Sequence, residues 1–227
     1  MSGRILVVNP NSSKVVTAGI DAAMAPLRIP GGPEIECVSL EKGPPGIENE
    51  AHIAQVVPLV AEAVRVRDND CSAFVIACYS DPGIALAREA TAKPVLGIAE
   101  SGILTALTLG QRYGVIAILD RSIPRHLRYI GSLGLGERCV GERAVGLGVA
   151  ELADEGRTLD RMVATGRQLR EQDRADVIVM GCAGMARYRD RLEQAVGIPV
   201  VEPTQAAVAM AIGRVRLGWS TRPAQPA

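Results

Sequence analysis

The chain has 227 residues, 48% hydrophobic and 22% charged, with Lys+Arg and Asp+Glu balanced at 25 each. That is material for one large α/β domain or two small ones, and it excludes a disordered chain. There is no basic block or aromatic-interleaved patch to meet nucleic acid, and no apolar run reaches the ~18 residues of a membrane span.

In chain order, ILVVN 5–9 reads as a strand running into VNPNSS 8–13, where Asn11, Ser12 and Ser13 suit either a helix N-cap or an anion cradle. The run MSGRILVVNPN is too short in apolar residues for a signal peptide, so a cytoplasmic location is expected. EIECVSL 34–40, AFVIAC 73–78 and PVLGIA 94–99 read as further strands, with helices over 53–67 and 85–91 between them. The second half repeats the scheme. Strands are expected at 114–119, 143–149, 176–182 and 198–203, and helices at 125–133, 159–172 and 188–196. A last helix at 205–218 is expected to pack back on the first half, and TRPAQPA 221–227 to fray.

The repeat has a register. Cys78 and Cys182 lie 104 apart, Pro94-Val95 and Pro199-Val200 lie 105 apart, and RILVVNPNSS 4–13 matches YGVIAILDRS 113–122 at an offset of 109. A period this long is a domain half, not a solenoid unit. The fold class expected is α/β: two pseudo-symmetric Rossmann-like lobes with parallel sheets and a cleft between them. The first lobe takes 1–102 plus 205–227, the second 103–204. GSLGLGE 131–137 follows a helix pattern and lacks the preceding strand of a dinucleotide fingerprint, so no nucleotide cofactor is expected.

Five cysteines without CxxC or Cys/His spacing point to free thiols, with neither a disulfide framework nor a metal site. A lone cysteine at an apolar strand end is usually a small buried hydrophobe. Two at equivalent strand ends of paired lobes would instead face each other across one cleft. There a helix N-terminus is expected to lower a thiol's pKa. One thiolate can then take a proton from a stereocentre while the opposite thiol returns one to the other face. Cys37, Cys71 and Cys139 have no repeated context and read as structural. Asp81 reads as a turn and helix cap, because a carboxylate beside Cys78 opposes thiolate formation. Glu100 and Glu202 read as supporting residues at matching strand ends, and His52 and His126 as surface residues.

VNPNSS 8–13, VIACYSDPG 75–83, ALARE 85–89, PVLGIAE 94–100, VMGCAGMA 179–186 and IPVVEPTQAAV 198–208 resemble the aspartate/glutamate racemase superfamily and, within it, the hydantoin and allantoin racemase branch. The similarity spans nearly the whole chain. It implies a cofactor-independent, two-lobed enzyme, often a homo-oligomer, with Cys78 and Cys182 as paired acid/base residues. It also implies substrate contacts from Pro10, Asn11, Tyr79, Ser80, Ile118, Ala183 and Gly184. Superfamily members acting on free amino acids carry Asn-Thr and Thr-His after the two cysteines. Tyr79-Ser80 and Ala183-Gly184 stand here instead, which points away from a free amino acid.

The substrate expected is therefore a small carbonyl compound, most readily a 5-substituted hydantoin or an allantoin-like ureide. Two alternatives stay open: a decarboxylase or cis–trans isomerase of the same superfamily acting on a small dicarboxylate, and a non-catalytic two-lobed binding protein. Within the branch this chain departs at three places. Ala117-Ile118 replaces a Thr-Thr pair, Gly46-Ile47-Glu48-Asn49 replaces Ser-Ile-Glu-Gly, and Glu202-Pro203-Thr204 replaces Asp-Gly-Val. The loss of two hydroxyls favours an apolar substituent over the ureido arm of allantoin.

Overall fold

A computed structural model describes residues 3–220, so the tail at 221–227 lies outside the described residues. The chain alternates strand and helix throughout: β1 (Arg4–Asn9), α1 (Lys14–Ala23), β2 (Glu34–Ser39), α2 (Glu50–Val66), β3 (Ala73–Ile76), α3 (Ile84–Ala90), β4 (Val95–Gly97) and α4 (Ile98–Leu109). The second half continues with β5 (Tyr113–Ala117), α5 (Ile123–Ser132), β6 (Cys139–Ala144), α6 (Glu155–Glu171), β7 (Val177–Met180), α7 (Arg189–Val196), β8 (Val200–Val201) and α8 (Pro203–Leu217). Two parallel sheets result, in the orders β2-β1-β3-β4 and β6-β5-β7-β8. One order maps onto the other strand for strand, as the repeat requires.

Central strands are buried on both faces and therefore read as continuous apolar runs. Successive side chains go to opposite faces. Ile5 and Val7 face α1 and α8, while Leu6 and Val8 join the cluster holding Val60 and Val64 of α2. The final helix does return to the first sheet, through Ala207, Val208 and Ala211. Its counterpart α4 leaves the first lobe for the second, where Ala99, Ile103 and Ala106 pack with Val115, Val177 and Val179. Each lobe is thus covered by a helix that directly follows the other lobe's last strand. The division expected at 102/103 runs through the middle of α4.

One helix goes unannounced and three local expectations are corrected. Periodicity does not announce α4, because its solvent face carries Leu104 and Leu109 in place of a polar stripe. The strands expected at 94–99 and 198–203 stop at Gly97 and Val201, since a carboxylate starts a helix directly afterwards in each case. The strand expected at 143–149 lies at Cys139–Ala144, with half-buried residues throughout. It is an edge strand, and the apolar run that pulls the reading C-terminal is a loop pinned by Val145 N–H to the Ala117 carbonyl and Gly146 N–H to that of Ile118. Finally, Val8 pairs with Ile76 and Ile116 with Met180, so the strands repeat at an offset of 108, whereas the helices that begin after Ser13 and Ser122 repeat at 109. The β5–α5 connection holds one extra residue.

Candidate active site

Both cysteine loops open at the carboxyl ends of equivalent strands, where α/β sheets place their ligands. Cys78 follows β3 and Cys182 follows β7, and both line a single cavity between the lobes. Asn11, Ile47, Tyr79 and Ser80 contribute from the first lobe. Ile118, Ser122, Arg125, His126, Val149, Ala183 and Gly184 contribute from the second. The free space is about 30 Å3, which holds a water or two but no five-membered ring.

Neither thiol rests as thiolate. Burial pushes Cys78 up to about 12, against the amide N–H of Ser80, which acts the other way; Cys182 raises it further. Burial pushes Cys182 up to about 11, against the Gly184 amide, with Glu48 and Glu202 adding to the rise. The expected lowering at a helix start is corrected: one amide dipole favours the anion, but loss of water outweighs it.

The Cys78 loop is held by the opposite lobe almost residue by residue. His126 of α5 meets Tyr79 edge-on, with ring centroids 5.1 Å apart. Arg125 donates through Nε to Ser80 Oγ at 3.0 Å. Tyr129 donates its hydroxyl to Asp81 Oδ2 at 2.9 Å. Asp81 itself is the helix cap expected, but for α4: its carboxylate accepts from Ala99 N at 2.9 Å and Glu100 N at 3.0 Å. Burial nevertheless raises its pKa to about 7. Its φ of 43° lies in the left-handed region, where aspartate is one of the better tolerated side chains.

Of the two readings of VNPNSS, the helix cap is what the structure contains. Ser13 caps α1 by accepting from Val16 N at 3.3 Å, while Asn11, 6% exposed, lines the cavity. Asn11 Oδ1 is engaged by Asn9 Nδ2 and Ser13 N, and its own Nδ2 has no partner among the described residues. Pro10 is buried beside it and lies outside the lining. Of the Ala117-Ile118 pair only Ile118 lines the cavity; Ala117 is fully buried in β5. Glu202 caps α8 through Thr204 N and Gln205 N, and Glu100 pairs with Arg88.

His126 is not at the surface: it is 3% exposed, lines the cavity and shares a hydrogen bond with the buried Glu142. His52 is half-buried at the start of α2. Sequence reasoning also passed over Arg125 and Ser122. The signal was present in RSIPRH, where an arginine in the first turn of a helix opposes the helix dipole and so needs an explanation. Among the described residues no group of three or more His, Cys, Asp or Glu side chains could hold a metal ion, and no helix is long and apolar enough to cross a membrane.

A two-lobed α/β protein with a pair of equivalent cysteines on one cavity between the lobes is what the geometry defines. Residues 5–211 match the profile of the Asp/Glu/Hydantoin racemase family, and the chain belongs to that family. It is 36% identical to a hydantoin racemase of a Pseudomonas species over 221 residues, covering 96% of this chain and 88% of the relative. Among solved structures, an allantoin racemase of Pseudomonas fluorescens superposes with a TM-score of 0.92 at 32% identity, covering 99% of each chain. An allantoin racemase of Klebsiella pneumoniae gives 0.89 at 32% identity, covering 97% of this chain and 91% of that one. The chain is thus a racemase, and the non-catalytic alternative falls away.

Proposed function

We propose that the protein racemises a 5-substituted hydantoin or a related cyclic ureide, with Cys78 and Cys182 as the two acid/base groups. The observation that carries this reading is the pair of equivalent thiols on one cavity. One thiolate takes the proton from C5, leaving an enolate, and the opposite thiol protonates the other face. The enzyme finishes with thiol and thiolate exchanged, and the reverse reaction restores them. Because both thiols rest protonated, a minor ionised form does the abstraction. The enolate oxygen needs donors that are in place beforehand; the free Asn11 Nδ2, on a residue of the cavity lining, is suited to supply one. The similarity to racemases of hydantoin and allantoin supports the ring class.

Solvent exchange in D2O, followed by NMR across hydantoins, allantoin, amino acids and dicarboxylates, tests the reading. Deuterium is expected at C5 of a ring substrate. Exchange confined to open-chain acids would overturn it.

A further inference from the structure

The repeat that places the two thiols in register breaks at two positions, and both face the cavity. Because α1 and α5 start from equivalent serines, Val16 corresponds to Arg125. Packing agrees with that pairing: Val16 approaches Gly184 in the Cys182 loop, and Arg125 bonds Ser80 in the Cys78 loop. Both line the cavity. One wall is therefore apolar where its counterpart carries a full positive charge.

That charge has no carboxylate partner, although it lies near enough to Cys78 to favour ionisation of that thiol. Arg125 is 9% exposed and sits in the first turn of α5, where the helix dipole adds to its positive potential. Apart from the bond to Ser80 it makes no hydrogen bond or ion pair through its side chain with any described residue. The carboxylates nearby are occupied: Glu48 by Arg121 and the Val149 amide, Glu50 by Arg128, and Asp81 by α4 and Tyr129. A buried cation without a partner is costly, and the cost is relieved when a ligand brings the missing anion.

The second break is at the serines themselves. Ser13 caps its helix, but Ser122 makes no capping bond, is fully buried and leaves Oγ without a partner, while lining the same cavity. A free hydroxyl and an unpaired guanidinium thus stand at one helix end. Arg125 also lines an adjoining outer pocket of about 270 Å3, whose three arginines face two glutamates. Arg121 and Arg128 pair with Glu48 and Glu50, so Arg125, which lines both pockets, is the arginine there without a carboxylate partner.

We propose that Arg125 and Ser122 form a carboxylate subsite, and that the natural substrate of the proposed two-thiol reaction carries a carboxylate at the end of the substituent on its stereocentre. The enolate is a weaker candidate for this partner. Its charge exists only during turnover, whereas a carboxylate neutralises Arg125 throughout the bound state. The inference rests on the two-thiol reading of the reaction.

The test compares C5 deuterium exchange for 5-(2-carboxyethyl)hydantoin and its neutral carboxamide in the native enzyme, Arg125→Gln, Arg125→Lys and Ser122→Ala. The native enzyme is expected to prefer the carboxylate at least tenfold in kcat/KM. The ratio should fall toward one in Arg125→Gln, be partly kept in Arg125→Lys and drop in Ser122→Ala. Equal use of both rings by the native enzyme overturns the subsite while leaving the racemase reading intact. So does an unchanged ratio with both rates reduced in Arg125→Gln, which would assign the guanidinium to the enolate. If neither ring exchanges, the hydantoin reading fails, and binding decides the subsite alone. Glutarate should raise the melting temperature of the native protein but not of folded Arg125→Gln, and the lack of an Arg125-dependent shift overturns the proposal.

Discussion

The Asp81 carboxylate stands in the first lobe where the Glu202 carboxylate stands in the second. Each accepts two amide N–H groups from the first turn of the helix that crosses to the other lobe, α4 for Asp81 and α8 for Glu202. Glu202 does so from the capping position itself, whereas Asp81 reaches in from the cysteine loop and fills the space beside Gly97. A Cβ at Gly97 would lie 2.1 Å from the Asp81 carboxyl carbon. Gly97→Ala should therefore destabilise the protein by about 2 kcal/mol or more in urea unfolding. In an Asp81→Ala background the same change should cost far less, and equal costs in both backgrounds would refute the contact.

Cys78→Ser and Cys182→Ser should each lower racemisation by about 10²–10⁴-fold, because a serine hydroxyl keeps the shape but is too weak an acid to ionise near neutral pH. Circular dichroism and melting should stay near native. Near-native turnover in either variant would rule out the two-thiol reaction.

Proton linkage gives these thiols an alkaline signature. An unfolded thiol titrates at about 8.5, whereas the folded chain holds Cys78 to about 12 and Cys182 to about 11. Between those values the folded state binds more protons than the unfolded state. Their stabilising contribution is complete below the unfolded value and is lost as pH rises toward the folded ones. Urea midpoints should fall above roughly pH 9, and less steeply in Cys78→Ser. Activity should move the other way, kcat/KM rising with pH between about 7 and 9 as the thiolate fraction grows.

Only one residue of the Ala117-Ile118 pair can act on substrate polarity. Ile118→Thr should shift preference toward allantoin, relative to an alkyl hydantoin, by about tenfold to hundredfold, the equivalent of one buried hydrogen bond at about 1–3 kcal/mol. Ala117→Thr should leave that ratio unchanged and lower stability instead, by burying a hydroxyl in a fully buried strand. A shift in the ratio from Ala117→Thr would show that the wall is not as described.

Glu48 ties the segment over the cavity to the opposite lobe. Its Oε1 accepts from Val149 N at 2.9 Å and its Oε2 pairs with Arg121 at 2.6 Å, while its neighbour Ile47 lines the cavity. The tie joins the two sides of the cavity, so it bears on how firmly the lobes hold a bound ligand. Glu48→Ala should raise KM about three- to tenfold as the closed complex loses its fastening. Stopped-flow binding should show faster ligand release, and an unchanged release rate would exclude the tie from closure.

The central strands and the paired cysteines were legible because doubly buried strands are written in β-branched residues and because a repeat of known offset locates equivalent loops. Edges were not: β6 is half-exposed, so its apolar signal is weaker than that of the loop following it. Helix α4 was hidden for the opposite reason, being apolar around most of its circumference. The placement of His126 and Arg125 depends on α5 leaning on a loop from the other lobe, and no local pattern encodes that contact. The thiol pKa values were misjudged in sign because a sequence shows the helix that follows a cysteine but not how completely the lobes exclude water from it.

The exchange of α4 and α8 between lobes has a consequence for biosynthesis. The first sheet is complete once β4 has emerged, yet the face carrying Ile5, Val7 and Val75 receives Ala207, Val208 and Ala211 only when α8 has been made. From Gly97 at the end of β4 to Pro203 at the start of α8 is 106 residues, which a ribosome adding 5–20 residues per second crosses in roughly 5–20 s. Throughout that interval a nearly finished lobe presents an apolar sheet face covered by α1 but not yet by α8, and exposed apolar surface of this kind is what chaperones bind and aggregates recruit. The N-terminal half of this enzyme is therefore not an independent product of translation: its last structural piece is made only after the whole second lobe.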